Sequence, residues 1–115
     1  MATRSVIGYI REDGSYLGTY CHYDGYPSSV GVTLLQMSPE DIKIIVLQGI
    51  VKGGLRSLGK GSLNDVEYFN EVWSEARRDT IPGGEEYTYI LGLDGNWTCL
   101  NRQGNDIPPD TWPLS

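Results

Sequence analysis

The chain's single histidine, His22, lies in the run Tyr20-Cys21-His22-Tyr23-Asp24-Gly25-Tyr26-Pro27. These eight residues gather most of the polar and aromatic chemistry of the N-terminal half. Three tyrosines offer flat faces for a base or sugar, each with a hydroxyl at its tip. His22 and Asp24 are able to hydrogen-bond a polar ligand. Residue types alone leave two readings open. One is a binding site at a strand end, where a rigid scaffold presents a loop. The other is a tight aromatic turn, bent by Asp24-Gly25 and followed by Pro27, whose tyrosines merely pack.

Catalysis has weaker support. A hydrolase or transferase needs a nucleophile or a metal with a base held beside it. Cys21 and His22 are adjacent in a β-rich stretch, so their side chains are expected on opposite faces. Asp24 shares the alternation of His22 and would orient it, but no nucleophile accompanies them. One histidine and two distant cysteines, Cys21 and Cys99, match no common zinc spacing. The expectation is a binding protein with no catalytic residues, metal or cofactor.

A second segment bears on anions. Residues 52–62 (Lys-Gly-Gly-Leu-Arg-Ser-Leu-Gly-Lys-Gly-Ser) read as a glycine-rich loop carrying Arg56 and Lys60. The order does not match the phosphate loop of nucleotide triphosphatases. As a loop that brings cations to an anionic ligand it is reasonable, with Arg56 the better candidate because a guanidinium grips phosphate bidentately. An ordinary flexible connection is the alternative.

The elements that must position these residues follow from local pattern. Ser5–Ile10 and Ser15–Cys21 read as strands of a hairpin around Arg11-Glu-Asp-Gly14. Ser28 or Ser29 is placed to cap a short helix through Val30, Leu34 and Leu35. Ser38, Pro39, Glu40 and Asp41 form a helix start, followed by Ile42, Ile45 and Val46 at helical spacing, with Gly49 as the stop. Val66, Phe69, Trp73 and Ala76 recur at intervals of three and four, which predicts an amphipathic helix over Asp65–Arg78 with an acidic outer face and Trp73 in the core. Ile81-Pro-Gly-Gly84 is read as its end. Tyr87–Leu93 and Asn96–Leu100 form a second hairpin around Asp94-Gly95. The tail from Ile107 to Ser115, with three prolines, reads as extended and docked by Trp112. The expected fold is therefore a single α+β domain over 1–115, in which N- and C-terminal hairpins form one antiparallel sheet carrying about three helices.

Composition is that of a globular chain, 39% hydrophobic and 21% charged, with fifteen glycines. Residues 1–63 carry a net charge of +1 and residues 64–115 a net charge of −7. A nucleic-acid binder normally shows a basic excess, so a DNA or RNA polymer is not the expected partner. The acidic half is either a solvated surface or a patch facing a basic protein, in which case the chain would be an inhibitor acting through Glu67, Glu71 and Glu75. Both cysteines read as buried free thiols. Met-Ala-Thr-Arg-Ser lacks a signal-peptide core and no stretch approaches a membrane span, so a cytoplasmic location is expected.

The runs Ala2-Thr3-Arg4-Ser5-x-Ile7-Gly8, Tyr20–Pro27 and Val30-Gly31-x-Thr33-Leu34-Leu35 together resemble a widespread family of small tailed-phage proteins. The family's central motif usually reads Tyr-Cys-His-Trp-Asp-Gly-Tyr-Pro, and this chain has Tyr23 where tryptophan is common. Leu55-Arg56-Ser57-Leu58-Gly59 is similar to the family's Ile-Ser-Ser-Leu-Gly stretch. The match is specific over residues 2–35 and much less diagnostic beyond residue 64. The resemblance implies a sponge that sequesters, without cleavage, the cyclic nucleotide signals of bacterial anti-phage defence (the cyclic-oligonucleotide, or CBASS, systems). It further implies immune evasion in the host cytoplasm and a homo-oligomer with shared sites. On that reading Arg4 on the first strand and Arg56 supply the anion contacts, and Tyr20, His22, Tyr23, Asp24, Tyr26 and Lys60 complete the site.

Overall fold

A computed structural model describes residues 2–81 and 85–114. The fold is α+β. β1 (Ser5–Ile10) and β2 (Tyr16–Cys21) form the first hairpin, with Ser5 opposite Cys21 and Ile10 opposite Tyr16. Its turn is fixed locally: the Asp13 carboxylate accepts from the Ser15 backbone N–H at 3.0 Å, and Gly14 takes a φ of 87°. β6 (Tyr87–Leu91) and β7 (Trp97–Asn101) form the second hairpin around Asp94-Gly95. Both hairpins thus follow their turn chemistry.

The sheet that joins them is mixed, not antiparallel. β6 lies parallel to β1, and β3 (Leu55–Ser57) pairs parallel to the end of β2. β4 (Glu67–Tyr68) extends the sheet, giving the order β4-β3-β2-β1-β6-β7, while β5 (Arg77–Arg78) pairs with the middle of β2. Turn residues set pairing inside a hairpin. They carry no information on how two hairpins separated by 65 residues of chain will meet, which is why the parallel junction departs from expectation.

One face of the sheet packs the main core. Ile7, Tyr9, Leu17, Cys21, Tyr89, Leu91 and Cys99 meet Val30 and Leu34, and the helix residues Ile42, Ile45 and Val46. A π-helical turn over Pro27–Gly31 leads into α1 (Val32–Leu35). α2 spans Pro39–Val51, and the Ser38 hydroxyl accepts from the Asp41 N–H at 3.2 Å, the expected cap. Gly49 is not its stop. A Cβ there would sit 2.7 Å from Thr19 Oγ1, so this glycine serves close helix–sheet approach and the helix continues to Val51.

The tail is docked as expected but is not extended: Pro109–Leu114 is a 3₁₀ turn. Trp112 is fully buried, packs edge-on to Tyr89 and donates its indole N–H to the Ile107 carbonyl at 2.7 Å. Cys21 and Cys99 are free and buried.

The opposite face carries a smaller cluster of Val6, Tyr16 and Ile90, with Ile10 and Leu100 beside it. The Tyr16 ring lies across the cross-strand pair Gly8 and Gly18, where added Cβ atoms would overlap it.

The predicted helix over Asp65–Arg78 does not form. That stretch holds β4, an irregular turn, a 3₁₀ turn at Ser74–Ala76 and β5. Asn70 adopts a left-handed φ of 59°, incompatible with an α-helix interior. Residues 52–62 are not a plain loop either, because Leu55–Ser57 is a strand. The expected helix end at Ile81–Gly84 extends into residues 82–84, outside the described residues. Among the described residues, no helix is long and apolar enough to cross a membrane.

Candidate functional site

Strand alternation sorts the Tyr20–Pro27 run. Cys21 points into the main core, fully buried, and burial pushes its thiol up to about 12. Tyr20 and His22 point the other way. Continuing the Ser5–Cys21 register by one residue brings Arg4 opposite His22. Arg4, Tyr20 and His22 together line a cleft of about 450 Å3, within the range of small-ligand sites.

The facing wall comes from the stretch predicted to be helical. Phe69, Glu71, Trp73 and Glu75 line the cleft at every second position. Between them, Asn70, Val72 and Ser74 are outside the lining, and Val72 is fully exposed. A backbone ladder holds this wall: Phe69 N–H donates to Gly54 O at 3.2 Å, and Glu71 N–H to Lys52 O at 3.3 Å. The start of the glycine-rich segment therefore backs the wall, and Gly53 itself lines the cleft.

The rings form a continuous set. Trp73 meets Tyr20 edge-on at 5.1 Å between centroids, and His22 meets Phe69 at 5.7 Å and Tyr23 at 4.5 Å. Trp73 is not a core residue; it keeps 39% of its surface exposed at the cleft. The Tyr20 hydroxyl lies 2.7 Å from His22 Nδ1. Partial burial, reinforced by Arg4 and Arg56, holds His22 below its ordinary value of 6.5. Burial raises Tyr20 above 10.0, against the opposing pull of Arg4. Both shifts favour the uncharged form. The contact fits either tautomer: the phenol donates to Nδ1 and Nε2 carries the proton, or Nδ1–H donates to the phenol oxygen and Nε2 is an acceptor.

Charge in the cleft is mixed. Arg78 pairs with Glu85 at 3.3 Å, both partly buried. Among the described residues, the side chains of Arg4, Glu71 and Glu75 have no hydrogen-bond or ion-pair partner. Glu67 stands apart in β4, so the three glutamates read as one helical face are not on a helix.

The remaining sequence-derived candidates lie outside the cleft lining. Asp24 takes a left-handed φ of 58° and its carbonyl accepts from Val30 N–H at 3.2 Å, a turn role. Tyr26 precedes the π-helical turn and is 38% exposed. The turn is tied down by the Tyr89 hydroxyl, which donates to Gly25 O at 2.6 Å. Arg56 is exposed beyond the lining but close enough to disfavour charge on His22. Lys60 is exposed and not part of the cleft. Sequence reading missed Phe69, Trp73, Arg78 and Glu85 as site residues, and singled out Glu71 and Glu75 only as contacts for a basic protein, not as part of this cleft. The period-two alternation of aromatic and acidic side chains over 69–75 was the signal that would have found four of them.

Among the described residues, no group of three or more His, Cys, Asp and Glu side chains is arranged to hold a metal ion. No protein-family model, curated protein or solved structure matches the chain.

Proposed function

We propose that this protein binds cyclic nucleotide second messengers of bacterial anti-phage defence and sequesters them uncleaved, as a phage immune-evasion protein acting in the host cytoplasm. The observation that supports this best is the aromatic cleft, in which Tyr20 and Trp73 meet edge-on beside Arg4, unpaired among the described residues. Aromatic side chains stack on bases with little regard for sequence, and a free guanidinium beside them answers a phosphate. His22 supports the same reading, since an imidazole held at Nδ1 by Tyr20 leaves Nε2 for a hydrogen bond to a polar ligand. Assembly into a homo-oligomer would close this open cleft around a ligand.

Calorimetric titration with cyclic di- and trinucleotides tests the proposal. Saturable binding is expected, with intact ligand recovered after heat denaturation. Absence of binding across the set removes the proposal, and recovery of linear product would make the protein a phosphodiesterase instead.

A further inference from the structure

Two carboxylates in the cleft have no role in holding the fold. Glu85 is occupied by Arg78, but the side chains of Glu71 and Glu75 are unpaired among the described residues. They alternate with Phe69 and Trp73 on one backbone segment, so each acid stands beside an aromatic ring. Carboxylates repel phosphate, and a site for phosphate alone would not carry them. Arg4 enters from the end of the first hairpin, where continuing the strand register places it opposite His22. The cleft thus offers a guanidinium together with a wall on which rings alternate with acceptors.

We infer that the cleft selects guanine, with the carboxylate of Glu71 or Glu75 accepting from the N1–H and the N2 amino group of the base. This rests on the nucleotide-binding reading of the same cleft. Guanine is the common base whose pairing edge presents two adjacent donors, which a carboxylate accepts together through its two oxygens. Adenine presents an acceptor at N1 beside its amino group, and that lone pair would be set against the carboxylate. Hydrogen bonds to a charged group discriminate strongly because the wrong partner leaves the charge unsatisfied. The Arg4 guanidinium then accounts for the phosphate.

The test uses mononucleotides, so that base preference is read apart from cyclic structure. Trp73 fluorescence and calorimetry would follow GMP, IMP, AMP, cyclic di-GMP and cyclic di-AMP. GMP is expected to bind at least about tenfold more tightly than AMP. IMP, which keeps N1–H and lacks the amino group, should fall between them. Glu71→Gln and Glu75→Gln place an amide donor where an acceptor is needed, so one of them, or the pair, should erase the GMP preference by weakening GMP binding and, because the amide suits adenine N1, tightening AMP binding. Both sites are exposed, and a thermal melt checks that the variants fold. Equal affinity for GMP and AMP overturns the inference, as does a preference that survives the double variant. Binding of cyclic dinucleotides without base preference sinks the guanine assignment and leaves sequestration standing. Preference for GMP with no cyclic dinucleotide binding does the reverse. Failure of every nucleotide to bind overturns both.

Discussion

The Tyr20 hydroxyl stands 2.7 Å from Nδ1 of His22, two residues along the same strand edge, and both side chains face away from the main core. Strand alternation puts them on one face, and the ladder from β3 continues past β2 through His22 N–H to Leu55 O at 2.9 Å. The pair is thus held on regular backbone, which fixes the orientation of the imidazole at the cleft. Arg4 and Arg56 add to burial in keeping that imidazole neutral.

The neutrality of His22 predicts a specific pH dependence. Its folded value lies below the ordinary 6.5, with burial the leading cause and Arg4 and Arg56 adding to it. Between those two values the unfolded chain binds the proton more readily, so acid favours unfolding there. The His22 contribution is full above 6.5 and is lost as pH falls towards the folded value. Asp13 and Asp94 are both held below 3.8 by hydrogen bonds, so their contributions are lost only at lower pH. As the chain has one histidine, one imidazole proton resonance reports the titration. A midpoint below 6.5 is expected, together with a urea-stability slope below 6.5 that flattens in His22→Gln. A midpoint at or above 6.5 would contradict the electrostatic account.

Trp73 is expected to matter for ligand and little for fold. It is 39% exposed, and its edge-on contact with Tyr20 lies at the cleft. Loss of one stacking ring costs about 1–3 kcal/mol of binding. Trp73→Ala should therefore weaken nucleotide binding by about one order of magnitude or more, while Trp73→Phe keeps most of it. The thermal midpoint of both should stay within a few degrees of the parent. A large drop in the midpoint with binding intact would make Trp73 a structural residue.

The half of the cleft that was legible in the sequence is the half fixed by local rules. Asp-Gly turns determine the hairpins, alternation puts Tyr20 and His22 opposite Cys21, and the Ser38 cap is made three residues away by Asp41. The other half was not legible because two periods fit the same residues. Val66, Phe69, Trp73 and Ala76 satisfy a helix, whereas Phe69, Glu71, Trp73 and Glu75 satisfy an extended wall. The backbone bonds from Phe69 to Gly54 and from Glu71 to Lys52 favour the wall, and they depend on a segment about seventeen residues earlier in the chain. The parallel pairing of β1 with β6 was hidden for the same reason.

Cys21 and Cys99 are predicted to be unreactive in the folded protein. Both are buried, and burial pushes each thiol up to about 12. The thiolate is the reactive form, so at pH 8 neither should be alkylated appreciably by iodoacetamide. Mass spectrometry should show no adduct on the native chain and two adducts after denaturation in urea. Rapid labelling of Cys21 in the native state would mean that the base of the motif opens to solvent.

Gly53 links the glycine-rich segment to the cleft, and its substitution should affect both fold and ligand. It takes a φ of 82°, and a Cβ there would overlap the Glu71 carbonyl oxygen. Gly95 provides a control, with a φ of 84° and open space where its Cβ would go. Gly95→Ala should lose only the cost of a left-handed alanine, about 1–2 kcal/mol. Gly53→Ala carries that cost and must also displace the wall residue Glu71, since backbone cannot rotate aside as a side chain would. Urea titrations should show the larger loss for Gly53→Ala, and calorimetry should show weakened nucleotide binding in that variant alone. Equal losses in the two variants, with binding unchanged in both, would mean that the contact between Gly53 and Glu71 does not set the position of the wall.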